Sequence, residues 1–443
     1  MELTQFLRDY AASGISRFHM PGHKGSFPGA ADSMGAVLPY DITEIDGADV
    51  LYQSEGMLRR LEERLARFYG VFGTLLSAGG STLCIQAMLA AAFREGDAVL
   101  AVRNAHTAFV NACALLGLRP VWAYPEPLDS AGISGAVTPA QIADALRQHP
   151  EVKGVYLTSP DYLGVRSDIR AISDICHDMG LPLLVDNAHG AALVLAGPGE
   201  HPMAQGADLC CDSAHKTLPV LTGGAFLHLS SRYDRADIKA KMALFGSTSP
   251  SYLILASVDG CLDWLAAEGR AAYAETAARV MQLKALCRER GLPCIDGRCD
   301  PYRLSVRTGA LGYSDEAAGQ HFRRHRIEPE YIGGGYTVLM ASPCNPPRDW
   351  ERLEAALSAL TPQEAPAAEA VSLPPAEAVL TPREAVFAPG ETVPAGEAAG
   401  RIAAQTVIAC PPGVPVVIPG EKITPVHENI LKNSGIFALK VVK

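Results

Sequence analysis

The sequence lacks the features of a secreted, membrane-bound or nucleic-acid-binding chain. Its N-terminus has no basic segment followed by an apolar one, and its most apolar runs, such as 87–93, are far shorter than the roughly 20 residues that a bilayer requires. It has no excess of positive charge, since 38 Lys and Arg against 48 Asp and Glu give a net charge of −10. We therefore expect a cytoplasmic protein with neither a membrane nor nucleic acid as a partner.

Three kinds of site are also missing. The eleven cysteines show neither the tight spacing of a disulfide scaffold nor a CxxC pair typical of zinc ribbons and redox motifs, so we expect reduced thiols and no metal site. The glycine-rich segment 77–82 has neither a Walker lysine nor a GxGxxG pattern. This absence disfavours a nucleotide and leaves a smaller phosphorylated cofactor.

What the sequence does contain is enough apolar material for several cores, with 48% hydrophobic and 19% charged residues. From about residue 55 to 230, helical patterns alternate with short apolar runs, which is typical of an α/β domain with a mainly parallel sheet. The expected strands are 98–102, 121–124, 154–158, 182–185, 208–211 and 225–229.

The second half of the sequence predicts smaller units. After a helical stretch at 257–290, strands at 302–307 and 336–340 and helices near 314–325 and 349–360 indicate a smaller α+β lobe. The segment 361–375 is rich in Pro, Ala and Glu and suits a linker. The rest of the chain, 376–443, is rich in Val, Ile, Pro and Gly, which suggests short strands and turns.

Lys216 lies in the most informative segment. It follows the apolar run 208–211 within the sequence Ser-Ala-His-Lys-Thr, among small and hydroxylated residues. Desolvation at such a place favours a neutral, nucleophilic amine, which is equipped to form a Schiff base. The alternative is a surface lysine in a loop.

Asp186 directly follows another expected strand, 182–185. A carboxylate at the carboxyl end of a strand lies where α/β sheets usually keep their chemistry. Pyridoxal phosphate needs such a group, because a negative partner keeps its pyridine nitrogen protonated and the ring then accepts electrons. The alternative is that Asp186 only caps the next helix.

A phosphate also needs donors, and the segment 77–82 precedes a helical run, 83–93. Gly80 lets a backbone amide approach an anion, Ser81 and Thr82 add hydroxyls, and the helix N-terminus adds positive potential. Taken alone, the segment equally describes a turn in which Ser81 or Thr82 is an N-cap.

Two more residues complete an ordered set. His106 follows the expected strand 98–102, where an imidazole can lie flat on a pyridine ring, and Ser213 precedes Lys216 by three residues, where it can donate to the phosphate. The alternative for a lone histidine is a surface residue or one that only supports a residue of the site. A phosphate loop, a ring histidine, a strand-end aspartate and a lysine in this order favour a pyridoxal-phosphate enzyme.

The sequence resembles the Orn/Lys/Arg decarboxylase family of pyridoxal-phosphate enzymes over nearly its whole length. The resemblance depends on segments in a fixed order: FHMPGHKG at 18–25, DITE at 41–44, DNAHG at 186–190, SAHKTLP at 213–219, TSPSY at 248–252, PPGVP at 411–415 and PGE at 419–421. It implies an α/β, aspartate-aminotransferase-like large domain (fold type I) with a mainly parallel sheet, a smaller α+β lobe and a small C-terminal domain. It also implies a homodimer or a higher assembly of dimers, with the active site at the dimer interface.

The resemblance implies five segments. They are an N-terminal segment that contributes to the active site and the dimer, 1–55; a large domain that binds pyridoxal phosphate, 56–256; the small α+β domain, 257–360; the linker, 361–375; and the C-terminal decarboxylase domain, 376–443. Because the chain begins close to FHMPGHKG, we expect the short, biosynthetic type, without the N-terminal wing domain of longer members.

The resemblance assigns catalytic roles to four residues. Lys216 would carry the cofactor as a Schiff base, and Asp186 would pair with the pyridine nitrogen. His106 would stack on the ring, and His215 would place or relay the proton that replaces the carboxylate. The remaining cofactor contacts would be Gly80, through its backbone amide, with Ser81, Thr82, Ser213, Ala188 and His189. Ser249 to Tyr252 would act from the partner subunit.

The implied reaction is decarboxylation of a small basic amino acid in polyamine biosynthesis. Arginine, giving agmatine, is the first expected substrate, followed by lysine, giving cadaverine, and ornithine, giving putrescine. Asp161 and Glu330 are the acidic residues considered for the basic side chain, with a solvated surface carboxylate as the alternative for each. The sequence departs from the family pattern at Gly80, Asn187 and Asp161, where a hydroxyl residue, an acidic residue and a threonine are usual.

Two other hypotheses stay open. One keeps the cofactor but changes the reaction to that of an aminotransferase or an aldol-type lyase, although no arginine that clamps a substrate carboxylate can be named from the sequence. The other is a catalytically silent regulatory paralogue, against which the intact Lys216 and Asp186 argue.

Overall fold

The computed structural model describes residues 2–17, 19–21, 23–26, 35–125, 135–363, 375–408 and 415–443. Most of the linker expected at 361–375, Phe18 and Gly22 of FHMPGHKG, and 411–414 of PPGVP lie outside these described residues. The chain divides into two units, one formed by Met1–Ala91 and Gly190–Ala272 and the other by Ala92–His189 and Tyr273–Lys443. The domain boundaries expected from the sequence stay predictions. Among the described helices, none combines the length and the apolar character needed to cross a bilayer.

The described helices are numbered in chain order. They are α1 Glu2–Ala12, α2 Met57–Tyr69, α3 Gly80–Ala92, α4 Thr107–Leu116, α5 Pro139–Gln148, α6 Ile169–Asp178, α7 Leu193–Ala196, α8 Ala214–Thr217, α9 Arg235–Phe245, α10 Tyr252–Trp264, α11 Arg270–Glu289, α12 Asp315–Arg324, α13 Pro347–Ser358, α14 Pro382–Phe387 and α15 Pro425–Asn433. A π-helical turn, Leu265–Gly269, joins α10 to α11. Short 3-10 turns lie at Leu38–Tyr40, Leu51–Gln53, Pro202–Gln205, Thr308–Leu311 and Ala395–Glu397.

The described strands are numbered in the same way. They are β1 Gly73–Ser77, β2 Ala98–Val102, β3 Arg119–Ala123, β4 Val152–Thr158, β5 Leu183–Asp186, β6 Leu209–Asp212, β7 Ala225–Leu229, β8 Arg303–Val306, β9 Tyr331–Gly333, β10 Tyr336–Met340, β11 Gly390–Pro394, β12 Val407–Ile408, β13 Pro415–Val417 and β14 Ala438–Val442. Each strand expected from the sequence is present, with ends shifted by at most two residues.

The first unit contains three neighbouring strands in the order β1-β7-β6, with both pairs antiparallel. Helix α2 packs on β1, and its buried residues include Met57, Leu58, Leu61 and Leu65. The helix ends at Gly70, whose φ of +66° is a left-handed conformation that favours glycine. A sharp helix end therefore leads the chain directly into β1.

The second unit contains four neighbouring strands in the order β5-β4-β2-β3, all parallel. The inner strand β2 is buried along its whole length, whereas β3 lies at an edge and exposes Arg119. The carboxyl ends of parallel strands share one edge of the sheet. The residues that follow β2, β4 and β5 therefore meet at this edge, where α/β folds place their ligand sites.

The second unit also holds the small lobe and the C-terminal region. In the lobe, β8, β10 and β9 form an antiparallel sheet over a core that includes Leu304, Phe322 and Leu357. In the C-terminal region, β11 pairs with β14 and β12 with β13. The helices α14 and α15 were not predicted, although each begins with a Thr-Pro pair and a complete capping box, a signal that could have found them.

Candidate active site

Lys216 lies in α8, a single helical turn that directly follows the buried strand β6. Its backbone N–H donates to the carbonyl oxygen of Ser213 at 3.1 Å, which closes the turn, and its side chain is half-buried. The structure thus places the lysine at the carboxyl end of a buried strand, the position that the sequence pattern predicts.

Ser81 and Ser213, which we call the hydroxyl pair, lie together in the first unit. Their Oγ atoms are 2.7 Å apart, although 132 residues separate them in the sequence. Helix α3 begins at Gly80, so Ser81 and Thr82 belong to its first turn and neither is the N-cap. Gly80 has a φ of +68°, and a Cβ at this position would point into open space. Two hydroxyls and a helix N-terminus with room beside it form a cradle suited to a phosphate.

The loop that contains Gly223 and Gly224 connects this cradle to the lysine turn. The N–H of Gly80 donates to the carbonyl oxygen of Gly223 at 2.8 Å. Nδ1 of His215 lies 3.0 Å from the carbonyl oxygen of Gly224 and must carry the proton that it donates, because a carbonyl only accepts. A Cβ on Gly223 would come within 3.2 Å of the backbone of Ala78, and one on Gly224 would overlap Val220. This pair of glycines was not predicted as part of the site, although adjacent glycines are a turn signal.

Thr82 lines a cavity of about 260 Å³ within the first unit. Ser249, Pro250 and Ser251, part of the segment expected to act from a partner subunit, line the same cavity. Within a single chain, this segment already lies beside the predicted phosphate-binding residues. A role across a dimer interface stays a prediction.

A buried carboxylate anchors the strand end that carries Ser213. Asp212, the last residue of β6, accepts hydrogen bonds from Nε2 of His201 at 3.1 Å and from Nε2 of His228 at 3.2 Å. Burial alone would raise the pKa of Asp212, but the two imidazoles outweigh it and hold that pKa well below its usual range. Burial lowers the pKa of His228. This network was not predicted, because nothing in the sequence pattern brings the two histidines to Asp212.

In the second unit, Asp186 ends β5 and is buried. It accepts hydrogen bonds from the hydroxyl of Tyr156 at 3.1 Å and from the N–H of Ala188 at 3.1 Å. The next described helix, α7, begins only at Leu193, so Asp186 does not cap it. A buried carboxylate held at a strand end is the chemical partner that a protonated pyridine nitrogen needs.

His106 lies on the same edge of the sheet, after β2. Its Nδ1 accepts a hydrogen bond from the N–H of Ala108 at 3.1 Å, and His106 is thereby the N-cap of α4. In a neutral ring the proton then lies on Nε2. His106 is exposed, so one histidine both caps a helix and remains accessible at this edge of the sheet.

Four residues of the second unit form what we call the Arg303 cluster: Asp161, Tyr162, His189 and Arg303. Nη2 of the buried Arg303 donates to Nδ1 of His189 at 3.1 Å. Its Nη1 donates to the carbonyl oxygens of Asp161 at 3.0 Å and Tyr162 at 2.9 Å. Because arginine only donates, Nδ1 of His189 carries no proton and Nε2 carries it instead. Sequence analysis missed Arg303, which is 114 residues from His189.

The two acidic residues considered for substrate have different surroundings. Asp161 is buried, and its Oδ1 accepts the N–H of Val165 at 2.7 Å, so a solvated surface carboxylate is not what the structure shows. Burial raises the pKa of Asp161 to about 7, although backbone hydrogen bonds and Arg303 oppose the rise. Glu330 is exposed, accepts the hydroxyl of Tyr162 at 2.9 Å, and lines a cavity of about 450 Å³ beside Trp350.

The residues present fit pyridoxal phosphate. The cradle at Gly80 and the hydroxyl pair offers donors for the phosphate, and Lys216 follows Ser213 on the next turn. Asp186 offers a buried carboxylate for the ring nitrogen, and His106 and His189 offer imidazoles whose Nδ1 atoms are held by other groups. Each chemical part of the cofactor therefore has a suitable group in the chain.

Two family models match the sequence. The Orn/Lys/Arg decarboxylase major domain matches residues 2–297, and the C-terminal domain of the same family matches residues 363–433. An arginine decarboxylase of Bacillus subtilis (strain 168) is 31% identical over 96% of this chain and 91% of that protein.

Solved structures show the same fold. The lysine decarboxylase of Francisella novicida superposes with a TM-score of 0.83 at 17% identity, covering 100% of this chain and 81% of that one. An aspartate aminotransferase of Thermus thermophilus superposes with a TM-score of 0.56 at 16% identity, covering 68% of this chain and 89% of that one. These similarities confirm the predicted α/β fold of the aspartate aminotransferase type, with a mainly parallel central sheet and a C-terminal domain.

Proposed function

Because the chain belongs to the Orn/Lys/Arg decarboxylase family, we propose that it converts arginine to agmatine and carbon dioxide. Members of this family are amino-acid decarboxylases, which are lyases dependent on pyridoxal phosphate, and the relatives support a basic amino acid as the substrate class. Lysine, giving cadaverine, and ornithine, giving putrescine, are the next candidates. Each product is a basic amine, and we place the reaction in polyamine biosynthesis.

One observation of the structure carries the proposal: the Oγ atoms of Ser81 and Ser213 are 2.7 Å apart. Ser213 precedes Lys216 by three residues. This contact brings the predicted phosphate donors to the turn of the predicted cofactor-binding lysine. A pair of hydroxyls of this kind would not be expected beside a lysine that is only a surface residue in a loop.

Pyridoxal phosphate, when bound, supplies a protonated ring that accepts the electrons of the bond between Cα and the carboxylate. The chain's own residues orient and support it. Gly80, Ser81, Thr82 and Ser213 would hold the phosphate, and Lys216 would hold the cofactor covalently.

The remaining residues act on the ring and on the proton. Asp186 would keep a proton on the ring nitrogen, and His106, Ala188 and His189 would contact the ring. His215 donates its Nδ1 proton to Gly224, so its Nε2 is the atom that holds or passes the proton that replaces the carboxylate at Cα.

Of the two acidic candidates for the substrate's basic side chain, Glu330 has the better surroundings. Its carboxylate is exposed and lines a cavity of about 450 Å³, within the usual range of roughly 300–1,000 Å³ for small-molecule sites. Asp161 is buried and already accepts a backbone N–H, so its carboxylate is less available to a ligand. A homodimer and a cytoplasmic location stay predictions.

The test is carbon dioxide release by the purified protein loaded with pyridoxal phosphate, on arginine, lysine and ornithine separately, with the amine products identified. We expect release from arginine above all. Lys216→Ala should abolish it, because it removes the covalent attachment, and Lys241→Ala, which changes a lysine of α9, is the matched control. No release from any of the three substrates, despite the cofactor's visible absorbance, would exclude the proposal and favour another pyridoxal-phosphate reaction or a silent paralogue.

A further inference from the structure

A buried ion pair joins the C-terminal region, described here as residues 375–408 and 415–443, to the end of β2. Nη1 of Arg103 donates to Oε1 of Glu421 at 2.8 Å, and Nη2 donates to Oε2 at 2.8 Å. Both side chains are 2% exposed. The contact is bidentate, which fixes the plane and the direction of both groups as well as their distance.

Other groups hold both members of the pair. The N–H of Ile418 donates to Oε2 of Glu421 at 2.9 Å. The guanidinium of Arg103 lies over the ring of Trp122, 4.9 Å from its centroid. The carboxylate is therefore fixed within the C-terminal region, and the guanidinium is fixed against the edge strand β3.

The chain between Arg103 and α4 is short and hydrogen-bonded. The N–H of Arg103 donates to the carbonyl oxygen of Ala123 at 2.9 Å, and the N–H of Ala105 donates to that of Val102 at 3.0 Å. His106 follows at once and caps α4 through Ala108. Because this segment is short and hydrogen-bonded, a displacement of Arg103 should also displace His106.

The C-terminal region also contacts the other end of α4. Helix α14 packs on α4, and Nη1 of Arg383 donates to the carbonyl oxygen of Leu115 at 2.9 Å. The helix that His106 caps is thus held near its start through Glu421 and at its end through Arg383.

Stability alone does not explain the buried pair. Well-packed apolar side chains of similar size often stabilise a fold as well as a buried ion pair or better, because burying two charges is costly. What a bidentate ion pair adds is a single defined geometry.

We infer that Glu421 is a positioning residue: through Arg103 it fixes the turn that presents His106 to the candidate active site. The inference rests on the proposed function, since it takes His106 as a contact of the pyridoxal-phosphate ring. It gives the C-terminal region a part in cofactor binding beyond packing.

The test compares Glu421→Gln with Glu391→Gln. Glu391 also pairs with an arginine, Arg401, at 2.6 Å, but within the C-terminal region and partly exposed. Two quantities are measured: the Kd of pyridoxal phosphate, from the absorbance of the bound ring, and hydrogen exchange of the Ala108 amide in the protein without cofactor. We expect Glu421→Gln to raise the Kd about tenfold, the lower end of the loss that follows removal of an outer partner at metal sites, and to speed exchange at Ala108. Glu391→Gln should leave both within about twofold, because its contact does not reach α4.

A double variant, Arg103→Met with Glu421→Met, separates positioning from stability. We expect it to restore the melting temperature lost in Glu421→Gln, because no unpaired charge remains buried, while the Kd stays raised. If the double variant also restores the Kd, or if Glu421→Gln lowers the melting temperature with the Kd and Ala108 exchange unchanged, the pair is only structural and the inference is wrong.

Two further outcomes are distinguishable. Should Glu421→Gln fail to fold, Arg103→Lys gives the same test, since lysine keeps the charge but cannot make the bidentate contact. A wild-type chain that binds no pyridoxal phosphate would overturn the proposed function and this inference with it. If the wild-type chain binds pyridoxal phosphate tightly and the variants bind it equally well, the inference alone is overturned.

Discussion

The hydroxyl pair of the first unit and the buried ionisable groups of the second use different chemistry. Ser81 and Ser213 are neutral donors, and Ser81 is half-buried, so water can partly replace its hydroxyl. Asp186 is 1% exposed and Asp161 is 7% exposed, and each depends on particular partners. A lost hydroxyl therefore costs one hydrogen bond, whereas a change in a buried carboxylate alters the charge of its surroundings.

Asp186→Asn should have the largest effect. The amide oxygen can still accept from the N–H of Ala188, and the NH2 group can donate to the hydroxyl oxygen of Tyr156, so the fold should persist. The amide, however, carries no charge to keep a ring nitrogen protonated. Loss of one member of a buried charge pair costs about 3–5 kcal/mol, which corresponds to a fall in carbon dioxide release of about 10²–10⁴-fold. Release is measured on arginine, with Asp174→Asn on an exposed helix face as the control. A variant that keeps a tenth of the wild-type rate would remove Asp186 from the proposed mechanism.

Asp161→Asn should show an effect that depends on pH. Burial raises the pKa of Asp161 to about 7, above the unfolded value of about 3.9. The folded protein therefore disfavours the ionised form, and the resulting penalty on stability grows as the pH rises from about 4 through 7 and shrinks as the pH falls. We compare the free energy of unfolding of the variant with that of the wild type at each pH. The difference should favour the variant by about 1–3 kcal/mol more at pH 8 than at pH 5. Unfolding in denaturant at both pH values measures it, and an unchanged difference would mean that Asp161 is ionised at both.

Ser81→Ala and Ser213→Ala should show the smallest effects. Each removes one hydrogen bond to the phosphate and should raise the Kd of pyridoxal phosphate roughly 10- to 150-fold, since a hydrogen bond to a charged group is worth about 1.5–3 kcal/mol. Because the two hydroxyls contact each other, the double variant should lose less than the sum of the two single changes. Titration of the cofactor absorbance measures all three. Strict additivity would show that the hydroxyls act independently and that the hydroxyl pair is not a single cradle.

Local sequence patterns were sufficient to predict the elements whose structure is decided by neighbouring residues along the chain. The expected strand 98–102 is β2, and Lys216 and Asp186 lie at the ends of β6 and β5 as their apolar runs indicate. The strand β1 was not predicted, because Gly73, Thr74 and Ser77 in five residues give a weak strand pattern. Its pairing with β7, more than 140 residues away, stabilises it.

The sequence by itself determined which chemical groups the chain offers and on which strand ends they lie. A short run of apolar residues predicts each buried strand, and the residue that follows such a strand must lie at the edge of the sheet. Only the tertiary structure decided which of these groups meet. Arg303 reaches His189, and Glu421 reaches Arg103 across 318 residues, because burial of a charge demands a partner wherever the folded chain supplies one. Which partner a buried charge finds depends on distances in space, and the spacing of residues along the chain carries no information on these distances.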